Sequence, residues 1–124
     1  MKNLEDYYLK HPEPIQGCLL ALKHIIMGID KEITHTRIFQ IPFFLYKNWR
    51  FAFLYVHNKK IMFSTVIDHR LQPQAKGNRR KDSMSNTLLL DPKEDLPIDA
   101  ISESLKEHIK FYNNIKDEAA KLSI

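Results

Sequence analysis

Trp49-Arg50-Phe51-Ala52-Phe53-Leu54-Tyr55-Val56, then His57-Asn58-Lys59-Lys60, then Ile61-Met62-Phe63-Ser64-Thr65-Val66-Ile67 is the stretch that decides the fold. Two runs rich in aromatic and β-branched residues flank a short polar group, the pattern of an antiparallel hairpin. Side chains alternate across a regular strand, so Trp49, Phe51, Phe53 and Tyr55 are expected on one side. Arg50, Ala52, Leu54 and Val56 take the other, and only Arg50 among them is polar. A sheet covered by helices on one face ordinarily alternates apolar-in with polar-out; this strand is apolar on both. The second face therefore needs a cover: the basic segment that follows, the C-terminal tail with Ile115, Leu122 and Ile124, or another molecule. The expectation is an interaction surface along Trp49, Phe51, Phe53 and Tyr55, accessible at its Trp49 end.

Working outward, Ile33 to Phe39 also alternates and predicts a strand. Pro42 interrupts, so Phe43 to Tyr46 is expected to start afresh or to lie at an edge, and Lys47-Asn48 to form a tight turn. Further upstream, Ile15, Cys18, Leu19, Leu22, Ile26 and Ile29 recur at helical steps, predicting a helix from about Glu13 to Ile29 behind Pro12 and Pro14. Leu4 to Leu9 is a candidate for a short helix ahead of it. Cys18 falls within the apolar stripe and is expected to be a buried, inert thiol. Downstream, Asp68 to Ser85 loses its apolar signal and predicts an irregular segment, followed by a short strand at Asn86 to Leu90. Pro97 then opens a helix carrying Ile98, Ile101, Leu105, Ile109 and Tyr112, with Asn113-Asn114 as its expected stop. The whole predicts an α+β two-layer sandwich: an antiparallel sheet of about five strands packed against N-terminal and C-terminal helices.

The chain has 124 residues and a formal net charge of +4. That length predicts one domain over residues 1–124, with a core at about 4–115 and a tail at 116–124. One cysteine excludes an internal disulfide and is no zinc cage. No stretch is apolar enough to span a membrane, and the charged start does not resemble a signal peptide, so a soluble cytoplasmic protein is expected. The net charge permits an anionic partner without demanding nucleic acid.

Several local words, in this order, resemble the YdhG-like family of bacterial proteins, some members of which are described as frataxin-like iron chaperones. They are Leu4-Glu5-Asp6-Tyr7-Tyr8, Leu19-Leu20-Ala21-Leu22, Asp30-Lys31-Glu32-Ile33-Thr34-His35-Thr36, Phe39-Gln40-Ile41-Pro42-Phe43-Phe44 and Asp91-Pro92-Lys93-Glu94-Asp95-Leu96-Pro97-Ile98. The resemblance implies a frataxin-like sandwich and, for the subset so named, intracellular iron binding or delivery. No residue signature of a cofactor is evident, and iron enters by resemblance alone. The chain departs from the family at Gln40, where the family has glycine; with a non-glycine residue the backbone there need not adopt positive φ, which argues against a close ligand approach. The carboxylate ridge associated with iron in frataxin-like proteins has no match in the first long helix, which offers only Glu13 with Asp30 and Glu32 at its far end.

Other candidate chemistry is sparse. Asp95, Asp99, Glu103 and Glu107 recur every four residues, a cation site in principle, with ordinary ion pairs to Lys106 and Lys110 as the simpler reading. His11, His24, His35, His57, His69 and His108 contain no pair at metal-binding helical spacing, and His108 is expected as a satisfied, partly buried imidazole. No nucleophile, base and orienting group assemble, so no enzyme is expected. Arg70, Lys76, Arg79, Arg80 and Lys81 are candidates for anion binding in the irregular segment. Aromatic residues do not interleave with them there, which disfavours single-stranded nucleic acid. The residues themselves point to a non-enzymatic interaction or small-ligand module, working through the aromatic sheet face or the basic segment, as a homodimer or with a protein partner, or to weak nucleic-acid binding through the basic segment.

Overall fold

The computed structural model describes residues 4–68 and 86–122, with side chains over 5–68 and 87–114. Two helices, α1 (Leu4–Leu9) and α2 (Ile15–Ile29), lead into a five-stranded antiparallel sheet, and a long helix, α3 (Ile98–Leu122), follows it. The strands are β1 (Ile33–Ile38), β2 (Ile41–Tyr46), β3 (Trp49–His57), β4 (Lys60–Thr65) and β5 (Asn86–Leu90), ordered in space as in sequence. The architecture is α+β, with the helices flanking the sheet as the alternation of periods predicts.

Helix α2 starts where its prolines no longer cost hydrogen bonds: the carbonyls of Pro12 and Pro14 accept from Gln16 and Cys18 at 3.0 and 3.1 Å. Glu13 Oε1 accepts from the Gly17 amide at 2.8 Å, satisfying one orphan donor of the first turn. Gly17 makes room for this carboxylate, since a Cβ there would lie 2.8 Å from Glu13 Oε1. Ile15, Cys18, Leu19, Leu22 and Ile26 form its buried stripe, and Cys18 is buried as expected.

One face of the sheet receives all three helices. Phe44, Tyr46, Phe51, Leu54, Ile61 and Phe63 from the strands share a single buried cluster with Tyr8, Leu19, Leu22, Ile26, Ile101, Leu105 and Tyr112. Burial of each such side chain contributes about 1.5–3 kcal/mol, which makes this face the main source of stability. Tyr8 donates to Nε2 of His35, 2.8 Å away, while the imidazole stacks on Phe44 with ring centroids 4.5 Å apart. Burial, with Lys23 nearby, lowers the His35 pKa to about 4.

Helix α3 does not stop at Asn113-Asn114 but continues to Leu122. Asparagine costs a helix interior only a fraction of a kcal/mol, and Asn113 Oδ1 is occupied, accepting from the Tyr46 hydroxyl at 3.2 Å. Lys116 to Leu122 also consists of residues that favour helix, Asp117 apart.

Pro42 lies inside β2, paired with Arg37, rather than ahead of the strand. In a two-residue hairpin the closing pair, here Ile38 and Ile41, exchanges both hydrogen bonds, so the next pair turns its amides outward. The donor Pro42 lacks would therefore face β3, and pairing of β2 with β3 begins only at Phe43. Beyond that point the Val56 amide donates instead to the Tyr7 hydroxyl of α1, at 3.2 Å.

Three two-residue turns connect β1 to β4, each with both φ angles positive: Phe39 and Gln40 (55° and 67°), Lys47 and Asn48 (52° and 71°), Asn58 and Lys59 (51° and 63°). Gln40 thus adopts positive φ although it is not glycine. The right-handed twist of the flanking strands demands this turn geometry, whatever residue fills it.

Candidate interaction surface

The aromatic row of β3 is not one row. Phe44 pairs with Ala52 and Leu45 with Arg50, so Phe51 is an extra residue inserted against β2. Such a bulge puts two successive residues on the same side and reverses the alternation beyond it. Trp49 and Phe51 accordingly belong with the helix-covered core: Phe51 is fully buried between Tyr46, His108 and Tyr112, and Trp49 is half-buried against the cluster. Phe53 and Tyr55, after the bulge, face the other way. The four residues do not share one face, and Trp49, half-buried rather than enclosed, lies beside the covered core.

The bulge leaves backbone groups that β2 cannot satisfy, and the segment after β4 satisfies them. The Arg50 amide donates to Asp68 Oδ2 at 2.9 Å, and the Val66 amide to the Phe51 carbonyl at 2.9 Å. The Tyr112 hydroxyl accepts from the Asp68 amide at 2.8 Å and is within donating distance of the Arg50 and Val66 carbonyls. His108 Nε2 donates to the Val66 carbonyl at 2.6 Å, so its role is the satisfied imidazole anticipated from the stripe. Burial lowers the His108 pKa, against the opposing pull of that carbonyl. Asp68, itself buried, is thus a structural carboxylate that pins the irregular end of β3.

On the face away from the helices, the register aligns Thr36, Phe43, Phe53, Ser64 and Thr87 in one cross-strand row, and Tyr55, Met62 and Leu89 in the next. Phe43 and Phe53 lie with ring centroids 5.3 Å apart, and Phe39, from the first turn, meets Phe43 edge-on at 6.2 Å. The Arg50 guanidinium sits 5.4 Å from the Phe39 ring centroid and 5.9 Å from that of Phe43, a cation over an aromatic pair. His57 stacks on Tyr55 at 6.3 Å. Phe39 is 74% exposed, Leu89 65% and Tyr55 40%, while Phe43 and Ser64 in the first row are buried; Leu9, Leu20 and Ile98 on the helices are exposed as well.

Sequence reasoning missed Phe39 and Arg50 as members of this surface, and Phe43 as the buried ring on which they meet. The two-residue spacing between the Ile33–Ile38 and Ile41–Tyr46 runs is the signal that would have placed Phe39 in a turn. Arg70, Lys76, Arg79, Arg80 and Lys81 lie outside the described residues. Asp99, Glu103 and Glu107 are exposed on α3, while Asp95 precedes that helix; none of them pairs with Lys106 or Lys110 among the described residues, contrary to the expected ion pairs. No group of three or more His, Cys, Asp or Glu side chains converges to hold a metal ion among the described residues. Among them, too, no helix is long and apolar enough to cross a membrane. Compared with known proteins, the chain matches no family model, no curated protein and no solved structure.

Proposed function

We propose that the protein is a non-enzymatic interaction module whose working surface is the face of the sheet away from α1, α2 and α3, and that its partner is an acidic protein segment with apolar side chains. The carrying observation is Phe39. A large side chain at positive φ costs roughly 1–2 kcal/mol, and this one is also left 74% exposed. The other two turns place asparagine, which tolerates that conformation, at one of their two positions. Phe39-Gln40 holds no such residue; contact with Phe43 and the Arg50 guanidinium offsets part of that cost, and the ring still leaves most of its surface for a partner's apolar group. The partner's charge follows from Arg50, which accompanies the aromatic rings while no carboxylate lies in the two rows.

The test is selection of displayed random peptides on the wild-type protein and on a Phe39→Ser/Tyr55→Ser variant. The expected result is a set of Asp- and Glu-rich peptides with apolar anchors that bind wild type only, weaken with salt, and shift the amide resonances of Phe53, Tyr55 and Leu89. Equal recovery on the variant overturns the proposal. So does a thymidine decamer binding the same face more tightly, or dimerisation through it by sedimentation.

Iron handling is the rival reading. What supports it is the resemblance to YdhG-like proteins and an α+β architecture of the kind that resemblance implies. Anaerobic ferrous titration decides it: binding tighter than about 1 mM, roughly 4 kcal/mol, would restore it.

A further inference from the structure

Three irregular segments meet at the end of the sheet where β3 turns into β4: the link between α1 and α2, the Asn58-Lys59 turn, and the start of the link from β5 to α3. They enclose an open cleft of about 660 Å³, within the range of small-ligand sites. Its walls have two characters. Ile15 and Val56 supply apolar surface, with Pro12, Pro14 and Pro92 beside them. Lys59, Lys60 and Lys93 supply ammonium groups.

The carboxylates in the cleft are already engaged. Asp91 Oδ2 accepts from Lys60 Nζ at 2.9 Å and Oδ1 from the Lys93 amide at 2.9 Å, hydrogen bonds that hold its carboxyl below the usual range. Glu13 Oε1 accepts from the Gly17 amide. Lys59 and Lys93 are exposed and form no ion pair among the described residues. The cleft therefore presents two exposed cations, Lys59 and Lys93, above an apolar floor, with Asp91 exerting a secondary pull on Lys93. His11 in its wall keeps Nε2 buried with no hydrogen-bond partner among the described residues. Burial, and then Lys10, lowers the pKa of that imidazole, so the charge of the cleft at neutral pH comes from the lysines.

We infer that this cleft binds a small organic anion, its charged group held by Lys59 and Lys93 and its apolar body lying on Ile15, Val56 and the prolines. This site is separate from the open face of the sheet in both position and chemistry, and its test is independent of that proposal. The probe is phenyl phosphate, titrated into the full chain and followed by amide resonances, with inorganic phosphate and benzyl alcohol as the half-ligands. The expected result is saturable shifts at His11, Ile15, Val56, Lys59 and Lys93 with a Kd below about 1 mM, and at least about tenfold weaker binding of either half-ligand. Lys59→Gln/Lys93→Gln is expected to weaken phenyl phosphate about tenfold, and Phe39→Asn to leave it unchanged. Absent shifts at about 10 mM phenyl phosphate would overturn the inference. So would equal affinity for inorganic phosphate, an unaltered Kd in the lysine variant, or shifts confined to Phe53, Tyr55 and Leu89.

Discussion

The two faces of the sheet use the same residue types to opposite ends. On the covered face, Phe44, Tyr46, Phe51 and Phe63 interlock with three helices, and polar atoms there have partners, as with Tyr8 and His35 or Tyr112 and Asp68. On the open face, Phe39, Tyr55 and Leu89 remain in contact with water, and Arg50 lies over rings rather than over a carboxylate. A strand of unbroken alternation would have sent Phe51 to join Phe53 and Tyr55. One inserted residue moves it across, and the chain thereby fills its core while keeping part of an aromatic row outside. Aromatic content alone therefore does not distinguish core from contact surface; the register does.

The sharpest way to break this comparison is Phe51→Ala, which should cost about 3–5 kcal/mol in urea unfolding because its neighbours form a closed cluster. A cost below about 1 kcal/mol would mean that the bulge does not bury Phe51. Next comes Tyr112→Phe. It leaves the Asp68 amide and the Arg50 carbonyl short of the Tyr112 hydroxyl, while the Val66 carbonyl keeps His108, and should cost about 1–3 kcal/mol, with faster amide exchange at Arg50 and Asp68. Loss of protection elsewhere in the sheet, with Arg50 unaffected, would place the pin in the wrong position.

A third test uses pH. His35 binds its proton less tightly folded, with a pKa of about 4, than unfolded, where about 6.5 is normal. The unfolded chain takes up more protons between these values, so stability is full above about pH 6.5 and falls as the pH drops toward about 4. His11 and His108, also lowered, act in the same direction. After discounting for partial exposure, the His35 contribution is on the order of 2 kcal/mol. Unfolding free energies at pH 7 and pH 5 should diverge less in His35→Gln than in wild type. The same slope in both would remove His35 as the cause.

The smallest effects belong to the open face. Phe39→Asn should be neutral or stabilise by about 1 kcal/mol, since asparagine suits the turn and no buried contact is lost. Tyr55→Ser should change stability by no more than about 0.5 kcal/mol. A loss above about 2 kcal/mol for either would mean that this face is a second core and not a surface.

The elements were legible in the sequence because period and punctuation agree: a helical stripe behind Pro12 and Pro14, an alternating hairpin around Asn58-Lys59, a stripe after Pro97. The bulge was not. Trp49 to Val56 alternates without a break, and only pairing with β2, a nonlocal event, shows that Phe51 is the inserted residue. The turn at Phe39-Gln40 was hidden for a different reason, since neither residue carries the chemistry by which such turns are recognised, and Pro42 beside it argued for a strand end. The cleft was illegible because its parts are far apart in the chain and unremarkable singly. His11 to Pro14 is a helix break, Asn58 to Lys60 a turn, and Asp91 to Lys93 a linker. Only the common end of the sheet brings them together.

The sequential strand order has a consequence for assembly. Each strand pairs with its neighbour in the chain, and the first four are joined by two-residue turns, so this part of the sheet needs only short-range closures. Contact between α2 and α3 spans most of the polypeptide. During synthesis the meander β1 to β4 can therefore pair while α3 is still within the ribosome, with α2 its main cover. Until Ile101, Leu105 and Tyr112 emerge, Phe51 and Phe63 stand as open to solvent as Phe53 and Tyr55 do in the finished protein. In that interval the nascent chain is a sheet with two sticky sides, and the docking of α3 is the step that closes one of them.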